Sequence, residues 1–249
     1  MSNPLPNPLE EIPMQLAPHL HRIGNDIVAA YLVETPEGIT VIDAALPGHW
    51  RDLREELEAM GRSIDDIKGV VLTHGDSDHL GFAERLRKDH GVPVYVHHAD
   101  ADRAKGGDKP KVAMGPWRLG ATVGFFTYAL SKGGMRTHYV SEVVEVGDGD
   151  VLPLPGAPVV IGMPGHSPGS IAIHVPAVDA VFVGDALTTR HVLTGHQGMQ
   201  PAPFTDEPSV ALDSLDRLAT VDAAWVLPGH GAPWHGRAAD AAAAVRRAH

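Results

Sequence analysis

Four potential metal ligands fall within six residues of this chain, in the run Thr73-His74-Gly75-Asp76-Ser77-Asp78-His79. The run directly follows the apolar stretch 69–72, which predicts a strand that ends where the polar residues begin. A strand end followed by a tight turn can fan short side chains around one point, and imidazole and carboxylate together suit a divalent cation. A helix expected from near Gly81 would aim its N-terminal amides at those carboxylates. Helix capping is the competing use for Asp76, Ser77 or Asp78. Capping accounts for one of them and for neither histidine, and Ser77, with no base assigned to it, reads as a turn residue.

Three more polar residues stand at the ends of apolar runs: His166 in Met163-Pro164-Gly165-His166-Ser167-Pro168-Gly169, Asp185 after Val181-Phe182-Val183-Gly184, and His230 in Pro228-Gly229-His230-Gly231. Each alone reads as a loop residue. Together they matter, because strand-end loops gathered at one sheet edge are where sites are built. His191 and His196 follow Asp185 closely enough to line a cleft, whereas His174 alternates with Ile173 and Val175 and reads as structural.

The elements that must position these residues are short. Apolar runs at 27–33, 39–42, 69–72, 94–96, 159–162, 171–175, 180–183 and 224–227 read as strands. Stretches 49–60, 82–89, 208–218 and the tail from 238 read as helices, the first carrying Trp50, Leu53, Leu57 and Met60 on one stripe. The mixture predicts an α/β fold with two stacked sheets covered by helices, a four-layer αββα sandwich. It spans 19–249 as one domain, after a proline-rich extended arm at 1–18. Residues 99–147 interrupt the rhythm and read as a helical insertion. Its Trp117, Phe125, Phe126 and Tyr128 suggest an apolar lid, or equally a homodimer surface.

Composition removes whole classes of function. Over 249 residues the net charge is −11, which disfavours nucleic acid as a partner. There is no cysteine, so any metal sits on nitrogen and oxygen, and 16 histidines are available. Neither a signal peptide nor a membrane span is read in the chain, so the expected location is cytoplasmic and the expected partner a small-molecule substrate.

In order and placement these motifs resemble the metallo-β-lactamase superfamily, whose hallmark is His-x-His-x-Asp-His followed by a distant His, a bridging Asp and a final His. The resemblance runs from about Ile27 to His230 and includes Val41-Ile42-Asp43 as an early strand ending in Asp. It implies two divalent ions, zinc first with manganese or iron as alternatives. The implied ligands are His74, Asp76 and His166 at site one, Asp78, His79 and His230 at site two, and Asp185 bridging. It also implies that Asp78 orients the attacking water and takes its proton. Asp76 departs from the pattern, since a histidine is usual there, and it leaves the cluster one unit of positive charge short. The expected reaction is attack of a metal-bound hydroxide on a carbonyl ester, lactone or thioester. The alternatives are β-lactam hydrolysis, a di-iron redox role of the kind seen in flavodiiron proteins, and a metal-stabilised binding protein without turnover.

Overall fold

The computed structural model describes residues 14–107, 110 and 114–248. Strands β1 (Met14–Ala17), β2 (Leu20–Gly24), β3 (Ala29–Thr35), β4 (Gly38–Ile42), β5 (Ile67–Val71), β6 (Val94–His97) and β7 (Val144–Val146) form one sheet in sequence order. The first four run antiparallel and the steps from β4 to β7 are parallel. A second sheet contains β8 (Val159–Gly162), β9 (Ile171–Val175) and β10 (Ala180–Gly184). After a separate hairpin of β11 (Thr188–Arg190) and β12 (Gln197–Gln200), that sheet is completed by β13 (Trp225–Pro228) and β14 (Trp234–His235) in the order β14-β13-β10-β9-β8. The helices are α1 (Trp50–Ala59), α2 (Ala83–His90), α3 (Ala101–Ala104), α4 (Leu119–Ser131), α5 (Pro208–Ser214) and α6 (Ala238–Ala248).

Side chains alternate between the two faces of a strand, and this alternation sorts the core into three apolar layers. Leu32, Val41, Val70 and Leu72 face outward from the first sheet onto Leu53 and Leu57 of α1 and Leu86 of α2. Their neighbours Tyr31, Val33, Ile42 and Val71 face inward, where they meet Ile173, Val175, Phe182 and Leu227 of the second sheet. Val181, Val183 and Val226 face outward again, onto Leu215, Leu218, Ala241 and Val245. Three cores between four layers define the αββα sandwich. The α1 stripe read from sequence is also present, with Leu53 and Leu57 buried and Trp50 and Met60 packed at its margins.

The structure adds elements that the apolar runs do not announce and moves some boundaries. Within the segment expected as an arm, Met14–Ala17 is an edge strand paired with β2; residues 1–13 lie outside the described residues. Within the expected insertion, α3 and α4 are helical but Val144–Val146 belongs to the main sheet as the parallel neighbour of β6. Positions 108, 109 and 111–113 of that insertion are also outside the described residues. No helix among the described residues is long and apolar enough to cross a membrane.

Phe182 is 1% exposed and meets Tyr31 across the two sheets with ring centroids 5.4 Å apart. Phe182→Ala should therefore destabilise the protein by about 3–5 kcal/mol in urea unfolding. A loss under about 1 kcal/mol would show that the inter-sheet core does not carry the fold.

Candidate metal centre

All seven ligand candidates come from loops at one edge of the two sheets. His74, Asp76, Asp78 and His79 lie between β5 and α2, His166 between β8 and β9, Asp185 at the end of β10, and His230 after β13. The parallel pairing of β10 with β13 sets Gly184 opposite Pro228, which brings Asp185 and His230 to the same level. Two glycines permit the close approach. A Cβ on Gly184 would stand 2.3 Å from Thr73 Oγ1, and one on Gly229 would stand 2.5 Å from His79 Cε1.

The helix after the motif starts later than the sequence suggests. α2 begins at Ala83, its N-cap is Phe82, and no side chain caps it. Asp76, Ser77 and Asp78 are thus not spent on capping.

Each of the four imidazoles is oriented through Nδ1. His79 Nδ1 donates to Asp43 Oδ2 at 2.9 Å. His230 Nδ1 donates to the Ile27 carbonyl. His74 Nδ1 lies 3.0 Å from Thr73 Oγ1, and since the Thr73 hydroxyl already donates to Asp43 Oδ2 at 2.8 Å, it accepts from His74. His166 Nδ1 lies 3.3 Å from Thr205 Oγ1, whose hydroxyl donates to the Ala202 carbonyl at 2.9 Å. This is the arrangement by which a carboxylate, carbonyl or hydroxyl holds a ligating histidine, fixing its tautomer and ring plane.

The Nε2 atoms consequently turn inward. Those of His74, His79 and His166, together with Asp185 Oδ1, are buried without a hydrogen-bond partner. Asp185 Oδ1 lies 3.6 Å from His79 Nε2, and its Oδ2 lies 3.7 Å from His166 Nε2 and 3.2 Å from His230 Nε2. Asp76 Oδ2 lies 3.5 Å from His166 Nε2 and 4.0 Å from His74 Nε2, and Asp78 Oδ2 lies 3.4 Å from His230 Nε2. Among the described residues three sets could each hold a cation, with donor atoms within 4.8 Å of one another: His74, Asp76 and His166; Asp78, His79 and His230; and His74, His79 and Asp185. Buried polar atoms without partners are costly, so a cluster of them aimed at one space fits divalent metal.

A family model for the metallo-beta-lactamase superfamily matches residues 23–230. The chain belongs to that superfamily. Over 234 residues it is 26% identical to the probable metallo-hydrolase YflN of Bacillus subtilis, covering 90% of this chain and 88% of that one. A metallo-beta-lactamase family protein of Thermus thermophilus superposes with a TM-score of 0.65 at 25% identity, covering 92% of this chain and 78% of that one. A structure solved in a di-iron-bound form superposes at 0.58 with 27% identity, covering 90% and 94%. Superfamily and site together make the protein a metal-dependent hydrolase.

Several residues beyond the seven ligand candidates shape this superfamily member's site. Asp43 accepts from the Thr73 amide at 2.7 Å, the Thr73 hydroxyl and His79, and so pins both ends of the motif loop to the end of β4. Asp100, fully buried, accepts from the Gly75 amide at 2.8 Å, the Ser167 hydroxyl at 2.6 Å and the Gly169 amide at 2.7 Å, which ties the motif loop to the His166 loop. Arg103 donates to Asp76. Of these only Asp43, at a strand end, has a local signal in the sequence.

A cleft of about 520 Å³ opens beside the cluster. Asp76, Asp78 and Arg103 form its polar side, and Phe125, Phe126, Met135 and Phe204 its apolar side. Of the four aromatic residues named in the insertion, Phe125 and Phe126 line this cleft. Trp117 and Tyr128 are not among those lining the cleft: Trp117 is 54% exposed, and Tyr128 Oη lies 2.7 Å from His49 Nε2. His191 and His196, expected near the cleft, sit at the β11–β12 hairpin and do not line it either.

Charge pairing overrides burial at most of the site. Burial opposes the charged form of His79, but Asp43, with its hydrogen bond, and Asp185 push the imidazole up to about 10. Burial likewise opposes His230, which Asp185 and Asp78 push up to about 9. Asp76 and Asp185 are buried too, yet the surrounding histidines, and for Asp76 also Arg103, hold both well below the usual carboxylate range. His74 goes the other way, pushed well down by burial and by the neighbouring His79 and His166.

Without metal, His79 and His230 therefore keep protons that an unfolded chain gives up near pH 6.5. A histidine raised in the folded state stabilises it fully below that pH, and the contribution fades as pH rises through the folded value. Protein stripped by a chelator should lose Tm steadily from about pH 6.5 to 10, while metal-loaded protein should not. A stripped protein with constant Tm across that window would contradict the pairing.

Proposed function

We propose that the protein is a dinuclear metal-dependent hydrolase of small carbonyl esters, lactones or thioesters. The observation that carries this reading is the inward convergence of Nε2 atoms from histidines whose Nδ1 atoms are all engaged. In this reading His74, Asp76 and His166 hold one ion, Asp78, His79 and His230 hold the other, and Asp185, with one oxygen toward His79 and the other toward His166 and His230, serves both. Ions held by these residues would lower the pKa of a bound water from about 15.7 to about 7 and would polarise a carbonyl. Zinc is the first choice, with manganese or iron accepted more readily than at an all-histidine site because of the hard oxygen of Asp76, and a similar protein is known in a di-iron-bound form.

The chain's own residues supply the rest. Asp78 lines the cleft and has a side chain 24% exposed, so its carboxylate can orient the attacking water and take up its proton. The apolar side of the cleft receives the acyl part of the substrate and excludes water from it. A volume of about 520 Å³ suits a small molecule, and a net charge of −11 disfavours polyphosphate chains.

Metal analysis combined with a hydrolysis screen over lactones, thioesters, aryl esters and cephalosporins tests the reading. Asp78→Asn should keep the fold and lower kcat by about 10²- to 10⁴-fold on the best substrate found. Turnover within a few-fold of the parent would sink the role given to Asp78. A coloured, iron-containing protein inactive across the screen would replace hydrolysis with redox chemistry.

The apolar wall has its own test. Phe126→Ala with Phe204→Ala should raise KM for long-acyl substrates about tenfold, or about 1.4 kcal/mol, and leave short-chain esters unchanged. An unchanged ranking of chain lengths, accompanied by a change in oligomeric mass, would assign the exposed face of α4 to a dimer contact instead.

A further inference from the structure

Asp76 stands where the superfamily pattern has a histidine. A carboxylate differs from an imidazole in two respects that matter here: it is anionic, and it offers two donor oxygens where an oriented imidazole offers one nitrogen. Left to itself it can chelate, turn, or bind through either oxygen.

Arg103, on α3 and only 7% exposed, meets this residue from behind. Its Nε donates to Asp76 Oδ1 at 2.7 Å, and its Nη1 donates to Asp206 Oδ2 at 2.7 Å. The second carboxylate decides between two roles for the arginine. Alone, Arg103 would return the unit of positive charge that aspartate removes. Asp206, itself buried on the side chain, offsets that charge, so Asp76, Arg103 and Asp206 together carry the same net −1 as Asp76 by itself. What remains is geometry. Oδ1 faces the guanidinium, and Oδ2 faces the site, 3.5 Å from His166 Nε2 and 4.0 Å from His74 Nε2.

We propose that Arg103 is a positioning residue that makes Asp76 a one-oxygen metal ligand. By holding Oδ1 in a charge-assisted hydrogen bond, it aims Oδ2 alone at the ion, so that the carboxylate fills a histidine's place with a histidine's single donor. The inference rests on Asp76 being a ligand, as proposed above. Arg103 is aimed in its turn. Asp206 donates its amide to the His166 carbonyl at 3.1 Å, and Thr205 beside it receives His166 Nδ1. One short segment thereby sets the orientation of His166 and of the arginine that orients Asp76. Lysine cannot replace Arg103 here, because two carboxylates on adjacent guanidinium edges require a fork and not a point charge.

The test measures zinc alone, by competition with a chromophoric chelator and by counting ions per chain in native mass spectrometry, with circular dichroism of the metal-free variants as the check on folding. Asp76→Asn should weaken one of two zinc ions, and Arg103→Gln and Arg103→Lys should weaken the same ion by about 10- to 100-fold. Asp76→His in the parent background should also weaken it, since the arginine then faces an imidazole with no carboxylate to bind. The double variant Asp76→His with Arg103→Gln should recover parental affinity to within about threefold, a coupling that a general structural role for Arg103 does not produce. If Arg103→Gln fails to fold, Asp206→Asn keeps the arginine in place while loosening its aim, and should weaken the same ion about tenfold. Zinc affinity within about threefold of the parent in Arg103→Lys and Asp206→Asn, with Asp76→Asn impaired, overturns the inference and leaves the ligand set standing. A double variant no better than the sum of the two single losses also overturns it. Full affinity for two zinc ions in Asp76→Asn overturns the ligand assignment, and the inference with it.

Discussion

Burying four imidazoles and two carboxylates around one space, with Asp78 at its half-exposed margin, is the constraint to which the rest of this molecule answers. Each group loses hydration, and the loss is tolerable only if opposite charges and a cation share the volume in fixed geometry. The protein meets the requirement by engaging every Nδ1 from outside: Asp43 for His79, the Ile27 carbonyl for His230, Thr73 for His74 and Thr205 for His166. Rotation of any ring would break an outer hydrogen bond and withdraw an inner donor together. The site is therefore held by what surrounds it and does not depend on the ligands gripping one another.

The sandwich is the means of delivering those outer partners. β4 and β5 run parallel, so Asp43 emerges beside the loop that carries His74 and His79, and the Asp43 amide itself donates to the Val71 carbonyl at 2.9 Å. β10 and β13 run parallel in the other sheet and deliver Asp185 and His230 to the same edge. Two backbone contacts then join the sheets there, from Ile171 to the Thr73 carbonyl and from Ala29 to the Gly229 carbonyl, each at 2.9 Å. The inter-sheet core of Tyr31, Phe182 and their neighbours sets the spacing, and the Tyr31 hydroxyl donates to the Pro228 carbonyl at 2.7 Å, two residues before His230. Core packing and site geometry share residues.

This division explains what could be read from the sequence. Unbroken apolar runs, such as 69–72 at the end of β5 and 180–183 in β10, announce themselves, and the ligand candidates at their ends are found with them. β2 does not, because His21 and Arg22 sit in its middle; both are buried, one against Glu56 at 2.6 Å and the other against Asp26 and the Gly231 carbonyl. Polar residues paired across long sequence separations look like surface until the partner is known. The same holds for Asp100, Arg103 and Asp206, whose bonds span 25 to 103 residues and follow no local period. β7 was hidden differently: it is short, exposed at Val144 and Glu145, and identified only by its pairing with β6. Motif reading finds the converging His and Asp side chains and, among the acidic and basic residues that aim them, Asp43 alone.

The segment 204–206 shows how the two sets join. Phe204 has φ of +60°, a conformation that costs a bulky side chain of order 1–3 kcal/mol and persists only where its surroundings over-determine it. The surroundings are evident. Thr205 is bound to His166 and to Ala202, and Asp206 to Arg103 and to the His166 carbonyl, so the backbone is fixed immediately after the strained residue. Phe204 lines the cleft together with Phe126. One wall of the cleft is therefore built on the same short segment that positions His166 and, through Arg103, Asp76. A change in that segment reaches the His and Asp cluster and the cleft at once, so the shape of the cleft and the orientation of His166 and Asp76 are not independent variables in this protein.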